Sequence, residues 1–175
     1  MSEYSWSTTF RNLFRRCAEA FAGGSSDFNH WFDESDRAFL NSIGCKEREF
    51  FDFVEDHCLA GAEEEPSLET ALLVASVRRD FFKVIQNGRW SDHVISPSEL
   101  PAKNAEVDGI VWLPRILAKA RAKLRGEMDP DTMFGCGGDR AFLSQHDIHP
   151  ADFLRTVWAA DEDDQTVIDF VKSRS

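Results

Sequence analysis

The pentapeptide Asp36-Arg37-Ala38-Phe39-Leu40 recurs as Asp139-Arg140-Ala141-Phe142-Leu143, an offset of 103 residues. This repetition constrains the chain more than any other feature, because related segments must reuse one element order. Carried on without a gap, the same offset pairs Phe50 with Phe153 and Val54 with Val157. That makes seven identities in the nineteen positions from 36 to 54. Upstream it pairs Gly23 with Gly126 and lays Phe10, Leu13, Phe14, Cys17 and Phe21 on Leu113, Ile116, Leu117, Ala120 and Leu124. Both sets follow the three-and-four spacing of a helix that buries one face.

The shared pattern predicts one helix order in each half. A long helix, roughly 7–22 and 110–125, ends near Gly23 or Gly126, where glycine tolerates a left-handed cap. A short helix then carries Phe39-Leu40 or Phe142-Leu143, and a third spans about 46–57 or 150–159, with Pro150 suited to its first turn. Leu68 to about Ile85 and Gln165 to Lys172 close the two halves as further helices. No alternating stretch with hairpin turn signals stands out, so the fold class is all-α. The expected organisation is a helical unit over 1–85, a linker over 86–108 broken by Asn87-Gly88 and Ser96-Pro97-Ser98-Glu99-Leu100-Pro101, and a second unit over 109–175. Units this small have marginal cores of their own, so the two are expected to pack as one pseudo-symmetric helical body. The run Glu63-Glu64-Glu65 before Pro66 reads as a solvated loop.

Residues 109–126 read Gly-Ile-Val-Trp112-Leu-Pro-Arg115, then Lys119-Ala-Arg-Ala-Lys123-Leu-x-Gly126, followed by Cys136-x-x-Asp139 before Phe142-Leu143. Over about 105–173 this resembles the bacterial domain-of-unknown-function family numbered 5069, whose members usually carry Asp-x-Arg before Phe-Leu and a larger residue or proline after the cysteine. The chain departs from that pattern at Asp139-Arg140-Ala141 and at Cys136-Gly137-Gly138. The resemblance implies a small helical domain and brings no established activity. Across the repeat, Trp112, Pro114 and Arg115 fall on Thr9, Arg11 and Asn12, and Cys136 falls on Asp33. The first unit therefore reads as a degenerate structural partner of the second.

The formal net charge of −11 argues against nucleic acid and against anionic membranes, whose binding draws on Lys and Arg. The apolar runs fall far short of a bilayer span and Met1-Ser2-Glu3-Tyr4 does not open a secretory signal, so a soluble protein is expected. Four scattered cysteines without a Cys-x-x-Cys pair fit a reducing cytoplasm.

Candidate chemistry gathers on the second unit. On a helical wheel Arg115, Lys119 and Lys123 line one flank of the apolar stripe, Arg121 and Arg125 the other, and no acid lies between 110 and 126. These cations either neutralise acidic neighbours, above all in residues 1–88 with their nine basic and sixteen acidic side chains, or form an anion-binding face. Trp112 is a core anchor whose indole could flank a ligand. In Phe134-Gly135-Cys136-Gly137-Gly138-Asp139 the glycines allow close backbone approach and the thiol precedes a helix, with His146 and His149 as nearby bases. The candidate ligand residues are thus Trp112, Arg115, Lys119, Lys123 and Cys136, while Asp36, Arg37, Asp139 and Arg140 read as structural caps and ion pairs. His146 and His149 with Asp147 or Asp152 are splayed by Pro150, and Asp161-Glu162-Asp163-Asp164 lacks the calcium-loop glycine and final glutamate. No metal and no cofactor are expected, and the acidic run reads as negative charge at the start of the last helix. The leading reading is a non-enzymatic binding or interaction module with a cationic helix face, its partner a protein or a small anionic ligand. The alternative is a small enzyme that uses the Cys136 loop with Arg115 and His146 on an anionic substrate.

Overall fold

In a computed structural model the chain is mostly helical. The structure describes residues 3–25, 27–61 and 65–174. In chain order the elements are α1 (Trp6–Ala22), α2 (Glu34–Ser42), α3 (Glu47–Ala60), α4 (Leu68–Val84), β1 (Glu106–Val107), β2 (Ile110–Val111), α5 (Leu113–Arg125), α6 (Gly137–Gln145), α7 (Pro150–Ala160) and α8 (Asp164–Lys172). Two compact units divide within α4, as Met1–Arg79 and Asp80–Ser175.

The first unit is built on aromatic side chains. The stripe of α1 buries Phe10, Leu13, Phe14 and Cys17, and Phe50 of α3 meets Phe10 and Phe14 edge-on, with ring centres 5.1 Å and 5.9 Å away. Each such ring withdrawn from water contributes about 1.5–3 kcal/mol, which is why Phe positions rather than charges fix the pairing of these helices. The left-handed residue after α1 is Gly24, at φ +90°, whereas Gly23 keeps a right-handed φ of −74°. Asp33 rather than Asp36 is the N-cap of α2. The Asp36 carboxylate, three positions on, accepts from the Asp33 backbone N–H at 3.0 Å, and the Asp33 carboxylate accepts from the Asp36 backbone N–H at 2.9 Å. Two helix-end donors are satisfied reciprocally in this way. Asp36 also pairs with Arg16, and Arg37 reaches Glu47 at 3.1 Å and the carbonyl of Asn29. Glu63 and Glu64 of the acidic run lie outside the described residues.

In the second unit the α5 stripe of Leu113, Ile116, Leu117, Ala120 and Leu124 is buried, as are Phe153, Leu154 and Val157 of α7. Gly126, at φ +73°, closes α5 in the left-handed conformation its lack of a Cβ permits. The expected helix start at 110 is corrected. Asp108 and Gly109, both at positive φ, turn the chain into a two-residue hairpin that pairs Glu106 with Val111 and Val107 with Ile110. Asp-Gly is the residue pair that such a turn demands, so α5 begins only at Leu113. Residues 86–108 fall inside the second unit, where Ile95 pairs with Met128 and the Pro101 carbonyl receives Arg115. The bounds of α2 and α6 are displaced by 103 residues at both ends, and α3 and α7 start at the same displacement.

Candidate functional site

Three of the five residues singled out as ligand contacts converge, but inward. Trp112, the N-cap of α5, sits at φ +76°, a costly conformation for a large side chain. From there its indole N–H donates to Asp139 Oδ1 at 2.9 Å. Asp139 is fully buried, and its Oδ2 accepts from Lys119 Nζ and from the Gly135 backbone N–H, the latter at 2.9 Å. Lys119 is only 3% exposed and also lies 3.2 Å from Cys136 Sγ. A buried carboxylate with four acceptor sites thus meets an ammonium, an indole and a backbone donor. Three donors are what a buried charge needs to avoid a desolvation penalty of several kcal/mol.

Gly138 explains how the ring fits. A Cβ there would stand 2.4 Å from Trp112 Cζ2 and 2.6 Å from Cη2, whereas one at Gly137 would meet nothing within 4 Å. Of the residues read as caps, Asp139 occupies the third position of α6, whose N-cap is Cys136, and Arg140 Nη1 donates to the Gly135 carbonyl at 2.7 Å. The pair Asp139–Arg140 therefore folds the Gly135–Gly138 loop onto α5.

The flank of Arg115, Lys119 and Lys123 is not an open cationic face. Lys119 and Lys123 are buried, and Arg115 donates to the Pro101 carbonyl at 2.6 Å. The partners of Lys119, Arg121 and Arg125 lie within the second unit. Lys119 uses Asp139, Arg121 uses Asp164 and the Asp161 carbonyl, and Arg125 uses Glu162. The acidic run Asp161–Asp164 supplies most of the counter-charge while Asp163 caps α8 through the Gln165 N–H. A hydrogen bond from the Thr166 hydroxyl, with backbone donors behind it, holds the Asp163 carboxyl below its ordinary value.

Cys136 and His146 stand at opposite ends of α6, as its N-cap and C-cap. Ten residues of helical rise separate them by about 15 Å, too far for His146 to take the Cys136 proton directly. His146 is buried against the Phe142 ring, and His149 Nδ1 accepts from the Ala151 N–H as the cap of α7. Among the described residues no cluster of His, Cys, Asp or Glu has the geometry of a metal site.

An opening borders the other flank of α5. A cleft of about 430 Å³ is lined by Phe81 and Ile85, by Arg121, Leu124 and Arg125 of α5, and by Val157, Trp158 and Asp161 around the end of α7. Phe81 and Trp158 meet edge to face, 5.5 Å between centres. Arg121 Nε is buried and has no hydrogen-bond partner among the described residues. Glu162 Oε2 stands 4.0 Å from it, beyond hydrogen-bond length. Sequence reasoning placed Arg121 and Arg125 on this flank but could not bring Phe81 and Trp158 to it, since both arrive from distant positions along the chain.

Residues 99–175, the second half of the chain, match the family model described as Domain of unknown function (DUF5069). This is the family that the Trp112-Leu-Pro-Arg115 and Lys119-Ala-Arg-Ala-Lys123 motifs implied. Neither the search of the curated proteins nor that of the solved structures found a match.

Proposed function

We propose that the domain of unknown function carried by residues 99–175 makes the second unit a non-enzymatic binding module, whose ligand is a small amphipathic anion seated in the cleft beside Arg121 and Arg125. One observation carries the reading. A buried guanidinium N–H without a partner, in a cleft whose wall joins Phe81, Leu124, Val157 and Trp158 to Arg125 and Asp161, is costly unless an acceptor arrives. The cleft volume suits a small organic ligand. Trp158, Phe81, Leu124 and Val157 offer an apolar wall for its body, and Arg121 offers a donor for its carboxylate. The buried Trp112–Asp139–Lys119 cluster then serves to fix α5 rather than to bind.

The reading is tested by thermal denaturation with 3-phenylpropionate at fixed ionic strength, against 3-phenylpropanol as the neutral control. Saturation at 100 times Kd stabilises the folded state by about 2.7 kcal/mol, so the carboxylate raises Tm in the wild type and not in Arg121→Gln. An equal rise in the variant, or a rise with the alcohol as large as with the acid, overturns it.

The same reading treats the first unit as a degenerate structural copy of the second. The common displacement of α2 and α6 and the shared apolar stripe support this. A crystal structure in which α1, α2 and α3 superpose on α5, α6 and α7 at the 103-residue displacement bears the duplication out, and any other correspondence overturns it. Four free thiols support a reducing, cytoplasmic setting.

A further inference from the structure

We propose that Glu162 is the specificity-determining residue of this cleft, making it a site for monocarboxylates that turns away dianions such as phosphate monoesters. The inference rests on the reading of the cleft as a ligand site. Glu162 Oε1 pairs with Arg125 Nη2, and its Oε2 is the acceptor nearest Arg121 Nε, at 4.0 Å. One carboxylate therefore stands between the two guanidinium groups, where a ligand anion would have to sit. Its side chain is 67% exposed, so water and salt screen its hold on Arg125 and it is free to swing away. When it yields Arg125 to a ligand it remains tethered beside it as a negative charge.

The surrounding charge makes that matter. Asp161 lines the cleft, Asp164 takes Arg121 Nη2 at 2.6 Å, and Asp163 stands between them in sequence. With Glu162 on Arg125, three acidic residues thus stand beside two guanidinium groups, while the Asp163 carboxylate caps α8. A ligand with one negative charge exchanges places with Glu162 at modest cost. A ligand with two charges meets twice the repulsion from each remaining acid, because Coulomb energy scales with the product of the charges. Arg121 Nε is a buried donor without a hydrogen-bond partner among the described residues, and one carboxylate oxygen would satisfy it. The apolar walls require that the carboxylate carry an apolar or aromatic body.

Isothermal titration of the full-length protein with 3-phenylpropionate and with phenyl phosphate tests this at pH 8, where the phosphate monoester is a dianion. Ionic strength is held constant, and wild type is compared with Glu162→Gln. The wild type prefers the carboxylate. The variant gains about threefold in affinity for the carboxylate and about tenfold for the phosphate, since doubling the ligand charge doubles the energy and squares the factor. Equal gains for both probes, or none, with the carboxylate still bound, overturn the role of Glu162 and leave the cleft standing. Absence of binding by either probe to either protein overturns the cleft as a ligand site, and this inference with it.

Discussion

Replacing Gly138 by alanine should destabilise the protein, whereas replacing its neighbour Gly137 should not. Both residues open α6, and neither sits at positive φ. On helix propensity alone each substitution gains up to about 1 kcal/mol. A methyl at 137 enters open space, so that gain survives there, at about 0.5 kcal/mol. A methyl at 138 lands 2.4 Å from Trp112 Cζ2, more than 1 Å inside ordinary contact. The ring cannot retreat freely. Its indole N–H is bonded to Asp139, its backbone N–H donates to the Ala105 carbonyl, and its own carbonyl holds the first turn of α5. Overpacking of this kind costs about 1–3 kcal/mol, and about 1.5–3 kcal/mol more if the bond to the charged Asp139 breaks. Net of the propensity gain, Gly138→Ala should lose about 2–3 kcal/mol. For a chain of this length that lowers Tm by about 4–10 °C. Urea unfolding followed by far-ultraviolet circular dichroism measures both variants, with the slope checked for a single transition. Trp112→Leu completes a double-mutant cycle, and in that background Gly138→Ala should be near neutral. If Gly138→Ala matches Gly137→Ala in the wild-type background, the ring does not rest on Gly138 and the account of the cluster fails.

Three further outcomes follow from other parts of the structure. Asp139→Ala should cost about 3–5 kcal/mol because it strands the Lys119 charge in the interior. Asp36→Ala, 103 residues earlier in the chain, removes the capping-box partner of Asp33 and should cost about 1 kcal/mol; equal losses in urea unfolding would contradict the difference in environment. Burial pushes the Asp52 carboxyl up to about 6 against the opposing pull of Arg48. The folded state then holds its proton more tightly than the unfolded chain does, so stability present below about pH 4 is lost as pH rises towards about 6, by up to about 3 kcal/mol. Asp52→Asn should flatten that part of the stability profile, and parallel profiles would refute the assignment. Burial also pushes the Cys17 thiol up to about 12, so maleimide at pH 7 should leave Cys17 unlabelled in the folded protein and label it in urea; mass spectrometry of the labelled peptides decides.

The helices were legible because their information is local. Phe10, Leu13, Phe14 and Cys17, and likewise Leu113, Ile116, Leu117 and Ala120, announce a buried stripe by spacing alone. Asp108-Gly109 was local too, and it carried the hairpin signal that a search for alternating strands passes over, since the strands are only two residues each. What spacing cannot convey is the environment of a charge. Lys119 and Lys123 look like solvated flank residues on a wheel, and Lys119 becomes an interior residue only because Asp139, twenty positions away, stands against it. The cleft is hidden for the same reason, as its apolar wall joins Phe81 to Trp158 across a long stretch of chain. Counter-charge was sought in the first half because acids are plentiful there. The acids that pair with Arg121 and Arg125 are those of the short run before α8.

The indole signals test the central claim most directly. The chain has five tryptophans, of which Trp158 lines the cleft and Trp112 is bonded into the interior through its Nε1. In a ¹⁵N–¹H correlation spectrum each gives its own indole cross-peak. Titration with 3-phenylpropionate should move the Trp158 peak progressively to saturation and leave Trp112 in place, with the movement lost in Arg121→Gln. A titration that moves Trp112 while Trp158 stays fixed would put the ligand at the Asp139–Cys136 loop and contradict the assignment of the Arg121 cleft as the binding site.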